Sequence, residues 1–115
     1  MVVDNKEEYN YIVIIDDIQF AWDSAKSISN IAKHGVTFEE AATVFFDWLY
    51  LEMADPDHSL DEERFIAMGI SSNCRLLVVC RAISQDNEIV RIITARQATA
   101  NEERQYGEMT NAGRI

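Results

Sequence analysis

The 115-residue sequence has one proline, four glycines and two cysteines, and only ten Lys and Arg against twenty Asp and Glu. So little proline and glycine beside 48% hydrophobic residues excludes a collagen-like or disordered chain and predicts one domain with a real core. Long apolar runs are missing too. Tyr11 to Ile15 is the strongest near the start and is far too short to cross a bilayer. Asp4, Glu7 and Glu8 precede it where a secretion signal carries bases, so a cytoplasmic protein is expected. Cys74 and Cys80 lack CxxC spacing, and Cys80 lies in the apolar run LLVVC. A buried free thiol is expected there rather than a disulfide or redox pair.

The shortage of bases, a net charge of −10, argues against a polyanionic partner, because the summed field repels phosphate. The distribution weakens that objection. Half of the excess lies in residues 1–23, where Asp4, Glu7, Glu8, Asp16, Asp17 and Asp23 face Lys6 alone. Arg64, Arg75, Arg81, Arg91 and Arg96 all fall in or beside segments that read as strands. A local basic surface is compatible with an acidic whole.

What the sequence does have begins with the run FAWDSAKSISNIAKHGVTFEEA. Asp23 is an N-cap and Gly35 a left-handed C-cap, which predicts a helix of about three turns between them. Lys26, Asn30 and Lys33 share one face of it, continued in spacing by Thr37, and Ile28, Ile31 and Ala32 share another. The first face suits something polar and the second a core. Thr37 and Glu40 form a capping box that opens a second helix, with Phe38, Ala41, Ala42, Phe45, Trp48 and Leu49 as its buried face. Trp22 and Trp48 are expected in the core, with base stacking the alternative for Trp22. Ahead of Asp23, YIVII and the alternating Ile18, Phe20 and Trp22 form either a bent strand or a hairpin about Asp16 and Asp17.

EMADPDHSLDEE reads as the main surface loop. RFIAMGI, RLLVVCRAIS and EIVRIITAR then read as strands in consecutive antiparallel hairpins. A two-residue turn at Asp86 and Asn87 would pair Arg81 with Ile92, Val79 with Thr94 and Leu77 with Arg96. That register places Arg81 and Arg96 on one face and Arg91 on the other with Ala82 and Cys80; a one-residue bulge reverses the assignment. Thr99 and Glu102 form a second capping box, and the last helix can end at Gly107. The expected fold is α+β, a small antiparallel sheet with two N-terminal helices on one face and a short C-terminal helix.

FAWDSAK, NIAKHGVTFEEA, DPDHSLDEERF and RIITARQATANEERQY occur in this order. Together they resemble the BrnT-like toxins of bacterial type II toxin-antitoxin systems. The resemblance runs from about Phe20 to Tyr106, so residues 1–19 read as an N-terminal extension, either an added strand or a regulatory tail, and residues 20–115 as a single toxin domain. It implies a fold similar to the RelE and barnase-like ribonucleases, RNA cleavage that stops translation, and neutralisation by a ribbon-helix-helix antitoxin, through which any contact with DNA would be indirect and any oligomer formed. The unusual acidity is a departure from such toxins, which tend to be basic.

Metal-independent RNA cleavage needs a base for the 2′-OH proton, cations for the charge developing on phosphate and an acid for the 5′-oxygen. His34 is the first candidate acid or base, or else a histidine bonding the last helix carbonyls. Lys33 contacts phosphate or answers the helix dipole. Arg64, following Glu62 and Glu63, is a guanidinium fork oriented by a carboxylate, or an ion pair fixing the loop. Arg64 and Arg96 are the preferred transition-state stabilisers, with Glu63 orienting; Lys26, Arg81 and Arg91 are candidate substrate contacts, or stems covering apolar sheet. His58 reads as a loop histidine before a catalytic one. Asp55, Asp57, His58 and Asp61 lack the ligand alternation and glycine of a calcium loop, so neither metal nor other cofactor is expected. Tyr106 anchors a terminal helix. The alternative function is a catalytically weak relative that binds within a repressor complex.

Overall fold

The computed structural model describes residues 11–55, 63–83 and 89–112. Strands β1 (Tyr11–Ile15) and β2 (Ile18–Trp22) lead to helices α1 (Ser24–His34) and α2 (Phe38–Thr43), the latter continued by a 3₁₀ turn over Val44–Phe46. Strands β3 (Leu51–Ala54), β4 (Arg64–Ile70), β5 (Leu76–Ile83) and β6 (Ile89–Gln97) follow, then helix α3 (Ala100–Ala112). The sheet order is β1-β2-β6-β5-β4-β3. The expected α+β class holds, but the sheet is mixed: β2 pairs with β6 in parallel, and the other pairs are antiparallel.

Of the two readings of the N-terminal segment, the hairpin is the one formed. Asp16 and Asp17 have φ of 49° and 71°, the left-handed pair that a tight two-residue turn requires and that aspartate tolerates better than most residues. β2 touches β6 only from Gln19 to Ala21, opposite Ile89 to Arg91. Beyond that point β6 would have an open edge, and α1 closes it. Asn30 donates from Nδ2 to the Ala95 carbonyl (2.8 Å) and to the Val36 carbonyl (3.0 Å), while its Oδ1 accepts the Ala95 N–H (3.1 Å). One side-chain amide thus does for the edge what a neighbouring peptide would do.

That docking turns α1 opposite to the expectation from its apolar spacing. Asn30 is the residue it buries, while Ile28 and Ile31 are 70% and 44% exposed. Sheet edges expose donors and acceptors, so a polar residue makes the better contact there than an isoleucine does. The caps are as expected: Asp23 Oδ1 accepts from Ala25 N (2.8 Å) and Lys26 N (3.2 Å), and Gly35, at φ 69°, donates to the Ile31 carbonyl.

The second helix is shorter than its pattern suggests. Phe38, Ala41, Ala42 and Val44 are buried, but the chain turns at Asp47, whose carboxylate accepts Leu49 N (3.0 Å) and Ile70 N (2.8 Å). Trp48, expected in the core, therefore projects from a turn and is 92% exposed. Gly69 lets the 3₁₀ turn approach β4, since a Cβ there would lie 3.0 Å from both Val44 Cγ1 and Tyr50 Cβ. β3 takes the start of the segment read as loop. The core joins Phe20, Trp22, Val36, Phe38, Ala41, Ala42 and Val44 to Leu77, Val79, Ile92 and Ala95, with Trp22 edge-on to Phe38 at 5.8 Å. Neither cysteine forms a disulfide; Cys80 is half-buried and Cys74 exposed. α3 runs through Gly107 to Ala112 instead of stopping at the glycine, and Thr110 Oγ1 donates to the Tyr106 carbonyl within it (2.6 Å).

Candidate functional site

The face on which each strand cation lies is decided at one residue. Arg81 stands opposite Ile92, as expected from the turn, but Cys80 stands opposite Thr94, leaving Ile93 as an extra residue. Past this bulge Val79 faces Ala95, Val78 faces Arg96 and Leu77 faces Gln97, each one position from the bulge-free register. Because side chains alternate, the shift moves Arg96 to the face opposite Arg81, overturning the expected sharing. Arg64 pairs with Ala82, which pairs with Arg91, which pairs with Ala21. Arg64, Arg91 and Arg96 thus share the sheet face turned away from the core beneath α2. Arg64 and Arg91 flank β5 with their Cα atoms about 10 Å apart, two strand spacings. Ala82 between them and Ala21 beyond Arg91 are buried and contribute only methyl groups, so no bulky side chain stands in the row between the two arginines.

Arg81 belongs to the other face and to the packing. It is 9% exposed, donates from Nε to Glu52 Oε2 at 2.5 Å, and lies over the rings of Phe45 (5.4 Å) and Phe65 (5.1 Å). The rings and the carboxylate together compensate the guanidinium for lost water.

α1 borders the open face. Lys26 and Lys33, four before and three after Asn30, share the stripe that meets β6 at Ala95, between Thr94 and Arg96. Both lysines are exposed, as is His34 in the last turn. The end of α1 is clamped by a cluster that the motif reading missed. Arg75 donates from Nη2 to the Gly35 carbonyl (3.2 Å) and to Glu40 Oε1 (2.5 Å), and from Nε to Glu40 Oε2 (2.9 Å). Ser71 Oγ donates to the same Oε2 at 2.6 Å. The Arg75 hydrogen bond, against the opposing effect of burial, holds the Glu40 carboxyl below its usual range, and Glu40 raises Arg75 in turn. Only half of the first capping box forms: Thr37 Oγ1 accepts the Glu40 N–H (3.0 Å), while the Glu40 carboxylate turns to Arg75. The signal was the burial of a glutamate between Phe38 and Ala41, which demands a cation that spacing alone does not identify.

The second capping box is complete. Glu102 N donates to Thr99 Oγ1 (3.2 Å), Thr99 N donates to Glu102 Oε1 (2.8 Å), and Arg96 adds two bonds to the same carboxylate at 2.8 and 2.9 Å. The Arg96 bonds hold Glu102 at about 2. Tyr106 anchors α3 as expected, its hydroxyl donating to Asp47 Oδ2 at 2.6 Å.

The candidate residues therefore form a strip. Arg64 and Arg91 mark one end, with exposed Glu63 directly before Arg64; Arg96, Lys26 and Lys33 continue it along β6; His34 lies beyond, near Arg75. Arg91 and Ala95 alone are about 13 Å apart along the strand, so Glu63 and His34 do not meet at one point. Asp55 is buried and donates its N–H to the Arg64 carbonyl (2.9 Å). Asp57, His58, Asp61, Glu62, residues 1–10 and the turn at Asp86 and Asn87 lie outside the described residues.

Comparison with protein families matches residues 22–102 to the ribonuclease toxin, BrnT, of type II toxin-antitoxin systems. Among solved structures, the Brucella abortus ribonuclease toxin BrnT superposes with a TM-score of 0.52 and 26% identity, covering 68% of this chain and 92% of that one. No curated protein matches.

Proposed function

This chain belongs to the BrnT family of ribonuclease toxins of type II toxin-antitoxin systems, and from that membership we propose that it cleaves RNA without a metal ion, arrests translation and is held inactive by a ribbon-helix-helix antitoxin. The observation that carries the reading is the row Arg64, Ala82, Arg91, which puts two arginines on the same face of the sheet, one on either side of β5. A phosphate seated there receives charge-assisted hydrogen bonds from both sides as its negative charge grows. Glu63, adjoining Arg64, accepts the 2′-OH proton, and the leaving 5′-oxygen is stabilised by a guanidinium and protonated from solvent. Lys26, Lys33, Arg96 and His34 engage the strand further along. Arg81 holds the opposite face together instead. Residues 1–19, of which β1 forms part, are an addition to the toxin domain.

The test is RNA incubated with purified protein in the presence of a chelator, alongside growth after expression of the toxin alone. Arg64→Ala is expected to lower cleavage about a hundredfold, the usual effect of deleting one transition-state donor, and to relieve growth arrest without lowering the melting temperature. Intact RNA from folded wild-type protein would defeat the ribonuclease reading. It would favour a weakly catalytic binding protein, a second reading motivated by Arg75, Arg81 and Arg96, each of which is ion-paired to a glutamate.

A further inference from the structure

Strand β1 leaves one edge of the sheet open. It is outermost in the order β1-β2-β6-β5-β4-β3, and among the described residues no strand lies beyond it. A two-residue turn closes on a hydrogen-bonded pair, here Ile15 with Ile18, and bonded and non-bonded pairs then alternate along the hairpin. Tyr11, Val13 and Ile15 therefore direct their backbone groups to β2, while the N–H and C=O of Ile12 and Ile14 point outward. Their side chains are exposed as well, 41% at Ile12 and 64% at Ile14. Sheet edges are ordinarily guarded by lysine, proline or a bulge. The strand YIVII has none of these and no charge, and every residue in it is β-branched or aromatic.

We propose that β1 pairs with β1 of a second copy of this chain, antiparallel, about a twofold axis that passes between the two Val13 residues. The register singles out this occupant, because the strand is complementary to itself. With Val13 opposite Val13, Ile12 stands opposite Ile14 and Ile14 opposite Ile12, so every outward N–H and C=O of both strands meets a partner. A shift of two residues in one direction sets Ile12 against Asp16 in the turn, and in the other it carries Ile14 past the start of the opposite β1. The side-chain pairs are isoleucine with isoleucine on one face and Tyr11 with Ile15 on the other, aromatic and β-branched neighbours that favour a ladder. The register sets neither Asp16 nor Asp17 against a carboxylate of the other copy, and salt damps the repulsion of the two acidic chains over about 10 Å. Five residues make a short interface, so the association is weak, with a Kd on the order of tens of micromolar. Ile12 and Ile14 lie on the face of Arg91, so the joined sheet carries the Arg64 and Arg91 rows of both copies on one face. The matched family begins at Trp22, the last residue of the hairpin, so the pairing belongs to the added segment and is independent of the ribonuclease reading.

Sedimentation velocity of the full chain from about 1 µM to about 500 µM should show a mass rising from 13.2 kDa toward twice that value. Ile14→Lys and Ile14→Pro should both stay monomeric at the highest concentration and, when dilute, melt like wild type, since the Ile14 side chain is exposed and its N–H does not serve the β2 ladder. Val13→Cys in a Cys74→Ser background should give a disulfide-linked dimer on oxidation, because a non-bonded antiparallel pair holds its Cα atoms about 4.5 Å apart. Ile14→Cys in the same background should not, because the two copies of that position stand diagonally, beyond the reach of a disulfide. A wild type that stays at 13.2 kDa throughout overturns the proposal. So does a dimer that survives both Ile14 variants, growth beyond a dimer, or cross-linking at position 14 in place of position 13.

Discussion

Replacing Arg75 by methionine is expected to destabilise the protein by about 2–3 kcal/mol at pH 7 and to alter its response to acid. In the wild type the Glu40 side chain is 5% exposed and its carboxylate is held by two bonds from Arg75 and one from Ser71. Breaking a buried pair by removing one partner costs about 3–5 kcal/mol, and the 30% exposure of Arg75 places this pair toward or below the lower end. The sign with pH follows from Glu40. Its folded pKa lies below the usual carboxylate value because of Arg75, so its contribution is complete above that value and fades as pH falls through the depressed one. Without Arg75, burial is opposed only by the bonds from Ser71 and Asn73, the folded pKa rises, and acidification from pH 6 to 4 should cost the variant less than wild type or stabilise it. Urea unfolding at several pH values measures both effects. Arg75→Met combined with Glu40→Gln should recover part of the loss, because no charge is then left buried without its partner. A single variant within 0.5 kcal/mol of wild type (on the order of an ordinary surface change), or a double variant no better than the single, would refute the argument. The Arg75 bond to the Gly35 carbonyl extends the consequence to the site, since it holds the end of α1 that carries Lys33 and His34.

Asn30→Ala removes the hydrogen bonds that close the β6 edge and strands the Ala95 N–H, an expected loss of about 3 kcal/mol and a melting temperature about 10 °C lower; a calorimetric change under 3 °C (about 1 kcal/mol or less) would show that the edge does not depend on it. Glu102→Gln should cost no more than about 1 kcal/mol at neutral pH, because Arg96 is 41% exposed and solvent screens the pair. With a folded pKa of about 2, the Glu102 contribution is complete above its ordinary value of 4.5 and is lost as pH falls from there toward 2, so the Glu102→Gln deficit should shrink in acid; a deficit that is constant across that range would contradict the assignment.

Local signals carried much of the fold. Asp23 and Gly35 delimit α1 where their chemistry says, since a capped terminus is settled within a few residues, and the alternation of β4, β5 and β6 is equally local. What failed depended on partners remote in sequence. Ile28 and Ile31 read as core because a helix usually turns its apolar side inward, and only the shortness of the β2–β6 pairing reveals that the helix must serve a sheet edge instead. Trp48 read as the end of a helical face, but Asp47 draws the chain into a turn by reaching Ile70, 23 residues away. The extra Ile93 is invisible as a motif, being an isoleucine in a run of strand formers, yet it decides the face of Arg96.

That single residue also bears on how an acidic chain presents a basic surface. In a bulge-free ladder Arg96 would stand on the Arg81 face, and the open face would lose its cation nearest the α1 lysines. With the bulge, Arg64, Arg91 and Arg96 fall on one side, and the bonds from Asn30 to Ala95 bring Lys26 and Lys33 to its border. Carboxylates stand on this face too, since Glu102 is paired with Arg96 and exposed Glu63 directly precedes Arg64, while Asp16 and Asp17 form the β1–β2 turn and Glu40 and Glu52 are bound to Arg75 and Arg81. Because surface charges more than about 10 Å apart are largely screened at ordinary ionic strength, the local potential on this face is set by the charges nearest to it more than by the net −10. The net charge therefore governs encounter and solubility, and the register at Ile93 governs which cations share this face of the sheet.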